Sequence, residues 1–419
     1  MAAPEVIGID EAHRRMASVG VPLSSVQVPL DAALGRTLAH SLSAPQPLPP
    51  FDRAAMDGYA VRAEGLAPGQ TLPVAGRVAA GDEPRRLVSG TALRILTGAP
   101  LPSGADAVVE QESVERVGSD AVRFLRAVRP GWNVMRRGHE LQAGDAVAEA
   151  GTRLTAYHLG LAAALGLSRI TVRRRPRVAV LETGSELVGP TTVLRPGQIY
   201  ASQAALFRAL LMSYGARVVG RGRVPDRLEA VVAALREAAA RADLVIVTGG
   251  VSVGDLDFVP AALEEAGRLL FWRVAMHPGR AAAFGTVGAS AVLALSGNPG
   301  AAVTSWLVLG GPWWAHWHGG RPVERWTRDQ LVDGFPKPSR ETRLVRVRRA
   351  VGGVTADVAQ GADVLTAYLD ADGFAVLPAG SGPIAPGETV DVWQPGGMGG
   401  RAPRWVGPDG GGPVWSGPG

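Results

Sequence analysis

Thr248-Gly-Gly-Val-Ser-Val-Gly-Asp-Leu-Asp257 decides how this 419-residue chain is read. It follows Leu244-Val-Ile-Val247, an apolar, β-branched run of the kind that forms a buried parallel strand. The strand therefore ends in a turn carrying three glycines, a serine hydroxyl and two carboxylates. Glycines at a strand's carboxyl end let backbone N–H groups approach a phosphate closely. Carboxylates beside them suit a metal ion or proton transfer. A tight turn explains the glycines on its own, so the reading depends on the neighbouring strands.

Two further strands end the same way. Arg177-Val-Ala-Val-Leu181 runs into Glu182-Thr-Gly-Ser-Glu186, and Val292-Leu-Ala-Leu295 runs into Ser296-Gly-Asn-Pro299. Asn298 suits an N-cap and Pro299 the first helical position, so the following helix would aim free N–H groups at the same edge. One helical pattern between these strands runs from Ser202 to Gly215. Another starts at Asp226, with Glu229 completing a capping box. Strands alternating with helices predict a doubly wound parallel sheet, which binds ligands outside the carboxyl ends of its strands. Tight βα turns and caps are the competing explanation, strongest for Asp226 and Ser202, where capping alone suffices.

Composition narrows the chemistry. Cysteine is absent, which excludes disulfides, thiolate metal sites, iron–sulfur clusters and a cysteine nucleophile. Of the 43 Lys and Arg residues only Lys337 is lysine, which argues against Schiff-base chemistry and leaves anions to Arg forks and backbone amides. A net charge of +5 without an Arg stripe interleaved with aromatics suits a small anion and does not call for nucleic acid. No apolar run approaches ~18 residues, so no membrane span is expected. The first residues lack the charge and apolar pattern of a signal peptide, which points to the cytoplasm.

The length favours about three domains. Residues 5–20 read as a helix, with Ile7, Ala12, Met16 and Val19 roughly on one face. Short apolar runs broken by Gly and Pro then fill about 26–145, a β-rich segment. A helix resumes over 156–166. The doubly wound part spans 176–318, and Gly319-Gly-Arg-Pro322 reads as a linker. Short strands return from Gln330 to Val392, including the alternating Leu344-Val-Arg-Val-Arg348. Residues 395–419, rich in Gly and Pro, read as a disordered tail. Trp313, Trp314 and Trp317 with His316 and His318 could suggest a metal or aromatic cage. The weightier reading is the packed end of the helix begun at Pro299, because His residues at i and i+2 share no helix face.

Thr183-Gly-Ser-Glu-Leu187, Gly249 to Asp257 and Pro278-Gly-Arg280 together resemble the central domain of the molybdopterin molybdenumtransferases, the MoeA and gephyrin E-domain type. The resemblance extends to Pro50-Phe-Asp-Arg-Ala-Ala-Met-Asp-Gly-Tyr-Ala-Val61, to Leu96 through Val109 and to Arg136 through Asp145. It continues in Gln360-Gly, Asp372 through Pro378 and Pro386-Gly-Glu-Thr-Val390, so it runs from near residue 5 to about 395.

The resemblance implies a multidomain α/β chain. A helical linker domain (5–25 plus 146–175) would flank an inserted β-rich domain (26–145). A molybdopterin-binding domain (176–318), a C-terminal β-barrel-like domain (329–394) and the tail would follow. The implied reaction inserts molybdate into adenylylated molybdopterin and releases AMP, in a cytoplasmic homodimer supplied by a separate molybdopterin adenylyltransferase. The implied catalytic set is Asp57, Thr97, Glu186, Asp226 and Asp257, with Glu186, Asp226 and Asp257 on Mg2+. Substrate would be held by Thr183, Gly184, Gly249, Gly250, Ser252 and Gly254. Arg273, His277, Arg280, Gly297, Asn298 and Pro299 would complete that set.

Several positions depart from the family pattern: Glu140, Gln203, Arg273, His277, Ser296 and Ala362. They keep open a second reading, a non-catalytic paralogue that binds the pterin as carrier or regulator. A scaffold role like that of the gephyrin relatives would need fused partner domains, which this sequence does not show.

Overall fold

The computed structural model describes residues 5–20, 23–254, 257–320 and 324–396. At its centre is a six-stranded sheet. Its strands are β1 (Arg177–Thr183), β2 (Arg217–Val224), β3 (Leu244–Thr248), β4 (Arg268–Trp272), β5 (Ala282–Val287) and β6 (Ser290–Leu295), in the spatial order β2-β1-β3-β6-β5-β4. The first four in that order are parallel; β5 and β4 are antiparallel additions. The doubly wound parallel sheet expected from sequence is present in β2-β1-β3-β6, and two further strands extend one edge by antiparallel pairing. Gly288 and Ala289 join β5 to β6 as a tight hairpin, with Val287 opposite Ser290, and a two-residue connection forces antiparallel pairing.

Helices cover both faces. On one lie α1 (Gln203–Ser213) and the helical run beginning with α4 (Pro299–Ser305); on the other lie α2 (Leu228–Ala239) and α3 (Val259–Ala266). Strand residues buried on both sides explain the unbroken apolar runs. The N-terminal helix Ile9–Ala17 buries Ala12 and Met16 in the first of these cores.

The flanks of the β-rich part meet through strands, not helix against helix. Ser25–Pro29 pairs antiparallel with Arg169–Arg173, placing Val26 opposite Val172 and Val28 opposite Ile170. The β-branched alternation favours this edge-to-edge match. Between the flanks, six strands in the order Ala107–Glu110, Gly58–Val61, Ala92–Ile95, Thr71–Val78, Ala121–Phe124 and Val114–Val117 form one sheet. Apolar clusters lie on both its faces.

The C-terminal strands β7 (Glu324–Leu331), β8 (Thr342–Ala350), β9 (Gly353–Thr355), β10 (Gly373–Leu377) and β11 (Glu388–Pro395) pair in a ring, β8-β9-β7-β11-β10-β8, a closed five-stranded barrel. Met276–His277 of the central domain adds alongside β8, with His277 opposite Arg343. The start of the expected tail is ordered: Pro395 ends β11 and the Gly396 carbonyl accepts the Tyr214 hydroxyl. Residues 397–419 of that tail lie outside the described residues, as do Asp255 and the 321–322 part of the expected linker.

The tryptophan cluster is core. The run from Pro299 to Trp317 is helical throughout, with a π turn at Trp306–Gly310. Trp306, Trp313, Trp314 and Trp317 are buried together with Phe271 and Phe284. His316 is exposed while His318 is buried, its Nδ1 2.8 Å from the Trp314 carbonyl.

Burial pushes the His318 imidazole from 6.5 down to about 4. The folded protein therefore holds His318 neutral while the unfolded chain takes up a proton below about 6.5. Stability should fall as pH drops from 6.5 towards 4, by on the order of 3 kcal/mol in full. Urea-unfolding midpoints against pH should show this slope in the wild type and lose most of it in His318→Phe. Equal slopes in the two proteins would remove His318 from the account.

Candidate functional site

The carboxyl ends of β1, β3 and β6 open onto a cleft of about 460 Å³. Its walls include Thr183, Gly184, Glu186, Asp226, Gly249, Gly250, Ser252, Asp257, His277, Arg280, Gly297 and Asn298. Three strand tips, remote in sequence, thus converge where a doubly wound sheet binds ligands.

The glycine-rich turn has a definite reason for its composition. Gly249 and Gly250 sit at φ 88° and 62°. A Cβ on Gly249 would stand 2.4 Å from the Thr183 carbonyl, and one on Gly250 would stand 2.8 Å from the Thr183 hydroxyl. Only glycine fits both the conformation and the space. The turn is tied down by Gly249 N–H to Leu295 O at 3.0 Å, Val259 N–H to Gly250 O at 2.9 Å and the Trp272 indole to Val251 O at 2.8 Å. Among the described residues the N–H groups of Gly250, Ser252 and Gly297 have no protein acceptor. The buried Thr183 hydroxyl has no partner either. The three N–H groups belong to residues that line one cleft, and unpaired backbone donors grouped in this way suit an anion.

The carboxylates are held differently. Asp226 is not the cap of α2. That helix starts at Leu228 with Arg227 as N-cap, so the expected capping box does not form. The Asp226 Oδ2 instead accepts the Ser185 N–H at 2.8 Å and hydroxyl at 3.1 Å, which points it across the β1 turn. Asp257 Oδ2 accepts the Gly254 N–H at 2.8 Å. Glu186 lies over Gly184, where a Cβ would come within 2.6 Å of its carboxylate. Among the described residues no three His, Cys, Asp or Glu side chains approach closely enough to hold a metal by themselves. The three acids line one cleft without converging.

The remaining expected residues lie elsewhere. Asp57 and Thr97 form a separate unit on the β-rich domain, where the Thr97 hydroxyl and N–H both reach Asp57 Oδ1 at 2.7 Å. These two donors, the hydroxyl foremost, hold the Asp57 carboxyl below its usual range. Gly58 is required beside it, since a Cβ there would meet the Val109 carbonyl at 2.0 Å. Gly254, Arg273 and Pro299 do not line the cleft. Arg273 occupies the turn after β4 in a left-handed conformation, φ 76°.

The departures from the family pattern keep the geometry of the turn. Gln203 Nε2 donates to the Gly297 carbonyl at 2.5 Å. The Ser296 hydroxyl accepts the Asn298 N–H at 3.1 Å. The Ala362 carbonyl, from the loop between β9 and β10, accepts the Ala301 N–H at 2.8 Å. Asn298 caps α4 by position but makes no side-chain cap bond. Arg280 is spoken for by Glu341 of the barrel at 3.1 Å. For His277, desolvation first and the Arg343 guanidinium second lower the imidazole below its usual value, so it is neutral at pH 7.

Comparison with known proteins gives matches between residues 7 and 394. Residues 7–166 match the MoeA N-terminal region (domains I and II), 179–316 the probable molybdopterin-binding domain and 330–394 the MoeA C-terminal region (domain IV). The Haemophilus influenzae molybdopterin molybdenumtransferase is 33% identical over 406 residues, covering 92% of this chain and 98% of that one.

The chain belongs to the molybdopterin molybdenumtransferase family.

It is accordingly a transferase of molybdenum cofactor biosynthesis. Molybdopterin molybdenumtransferase 2 of Mycobacterium tuberculosis is 35% identical over 401 residues, covering 92% of this chain and 99% of its own. A crystal structure of a MoeA protein from Pyrococcus horikoshii superposes with a TM-score of 0.82 at 30% identity, covering 94% of this chain and 100% of that one. Among the described residues no helix is long and apolar enough to cross a membrane.

Sequence reading did not single out Arg346. Its guanidinium is buried against the central domain, and nothing in the local alternation reveals which face of β8 that domain covers.

Proposed function

We propose that this transferase inserts molybdate into adenylylated molybdopterin, with release of AMP. The observation that carries this reading is one cleft lined by residues with unpaired N–H donors and by three carboxylates. The N–H groups of Gly250, Ser252 and Gly297 bind phosphate oxygens and carry the charge that develops on them. Asp226 and Asp257, each with one oxygen fixed by a backbone donor, orient what faces them. Glu186 supplies a third negative group. Such a donor set fits a hydrated Mg2+ held by one or two carboxylates and by substrate phosphates, rather than a cage built wholly from protein. Magnesium, when bound, neutralises phosphate charge during cleavage. Molybdate enters as substrate on the His277 and Arg280 side.

The proposed working unit is a cytoplasmic homodimer in which Asp57 and Thr97 of one chain face the cleft of the other. Its substrate would come from a separate molybdopterin adenylyltransferase. AMP release from adenylylated molybdopterin, measured with and without molybdate, tests the reading. Release that is absent, or indifferent to molybdate, would leave the carrier role.

The lowered imidazole pKa sets the pH window in which His277 can carry charge. At pH 7 to 8 the ring adds no charge. Molybdate affinity should instead rise as pH falls below about 6.5. His277→Lys should bind more tightly at neutral pH and show a flat profile between about 5.5 and 8. Identical profiles in titrations of the two proteins would place His277 off the anion path.

A further inference from the structure

A second cavity, of about 330 Å³, lies where three parts of the chain meet, and it shares no lining residue with the cleft. The flanks of the β-rich part contribute Arg153 to its wall. The central domain contributes Tyr214, Trp314 and His318, and the barrel contributes Glu324 and Trp393. Three aromatic side chains thus line a space at the small end of the range that binds organic ligands.

His318 sets the polarity of this space. It is 8% exposed, and its ring packs on that of Trp314 with centroids 4.8 Å apart. Its Nδ1 faces the Trp314 carbonyl at 2.8 Å; a carbonyl only accepts, so Nδ1 carries the proton. Burial holds the ring neutral at pH 7, which leaves Nε2 as a bare acceptor. Among the described residues Nε2 has no donor partner. Buried acceptors are normally paired, and here the protein supplies no donor. The charged members of the wall are exposed and already engaged. Glu324 Oε2 accepts the Trp393 indole N–H at 2.8 Å, and Arg153 Nη2 donates to the Ser213 carbonyl at 3.0 Å.

These features select a ligand. A carboxylate or phosphate would set its lone pairs against Nε2, and an aliphatic molecule would leave Nε2 unpaired. A flat ring bearing an N–H satisfies both the acceptor and the aromatic walls. We propose that this junction binds a neutral, planar heteroaromatic molecule of about two fused rings, whose ring N–H donates to Nε2 of His318. Purines and pterins both offer that chemistry. The site stands apart from the cleft and does not depend on its chemistry. A ligand touching all three parts also ties them together, so its binding raises Tm.

The test titrates indole and 1-methylindole, the same ring with and without the donor, into the full chain. Calorimetry gives Kd and thermal unfolding gives the rise in Tm. In the wild type 1-methylindole should bind about ten-fold more weakly than indole, the scale of one buried hydrogen bond. His318→Phe should abolish that difference, and Ala315→Phe, which puts a ring into the cavity, should abolish binding of both. Hypoxanthine and pterin then distinguish the sources: the tighter binder is the natural class. A wild type that binds none of these at millimolar concentration overturns the proposal and leaves a water-filled seam. Equal affinity for indole and 1-methylindole overturns it too, as does a difference that survives in His318→Phe. So does indole binding with both hypoxanthine and pterin excluded, which would mean an apolar crevice only. If either variant fails to fold, the ratio of the two indoles in the wild type decides.

Discussion

Glu186→Ala, Asp226→Ala and Asp257→Ala are each expected to lower molybdate-dependent AMP release by about a hundred-fold or more. That is the scale for removing a preorganised charged group from a phosphoryl site. Their stabilities should separate. The Asp226 carboxylate accepts two bonds from Ser185 and Asp257 accepts one from Gly254, so losing either should cost about 1 kcal/mol, as loss of a cap does. Glu186 makes no such bond, so its variant should unfold like the wild type. Asp226→Asn and Asp257→Asn keep an acceptor for the turn and remove the charge. They should regain stability without regaining turnover. Near-normal AMP release in all three alanine variants would withdraw the assignment.

The second expected result concerns assembly. Asp57 and Thr97 form a hydrogen-bonded unit on the β-rich domain, outside the cleft that contains Asp257. If two chains build each site, inactive Asp57→Ala mixed with inactive Asp257→Ala should recover activity once subunits exchange. Half of the dimers would be mixed, each with one intact site and one doubly defective site. Activity should therefore return to about a quarter of wild type. Exchange is verified separately, by mass-tagged subunits. Verified exchange without recovery would mean that each site is built within one chain.

The strand tips were legible because their cause is local. A run such as Leu244-Val-Ile-Val247 can be only a buried element, and Gly249-Gly250 must turn where Thr183 leaves no room for a side chain. The tryptophan-rich helix was legible for the same reason. Asp226 was misread because an acid before a helix looks alike whether it caps that helix or accepts from another loop. Only the tertiary placement of Ser185 distinguishes the two. The antiparallel edge of the sheet depended on recognising Gly288-Ala289 as a hairpin, a weak signal next to long apolar runs. Gln203, Ser296 and Ala362 departed from the family pattern. Gln203 and Ala362 nevertheless hold the turn through contacts whose partners lie far along the chain, while Ser296 bonds Asn298 two residues on. Such compensation is visible only after folding.

The closed barrel also bears on how separable the parts of this chain are. In sequence terms its C-terminal region is a module with its own boundaries, 330–394. Physically it is not detachable. Leu344, Phe374 and Trp393 of the barrel belong to the same apolar cluster as Trp306 and Phe284 of the central domain. The added strand Met276–His277 and the Ala362 carbonyl fasten the two through main-chain bonds. A fragment ending near residue 320 would carry a wound in its largest core and lose part of its cleft. A unit with its own boundaries in sequence thus shares its interior with its neighbour, so any recombined version would have to inherit both sides of that seam together.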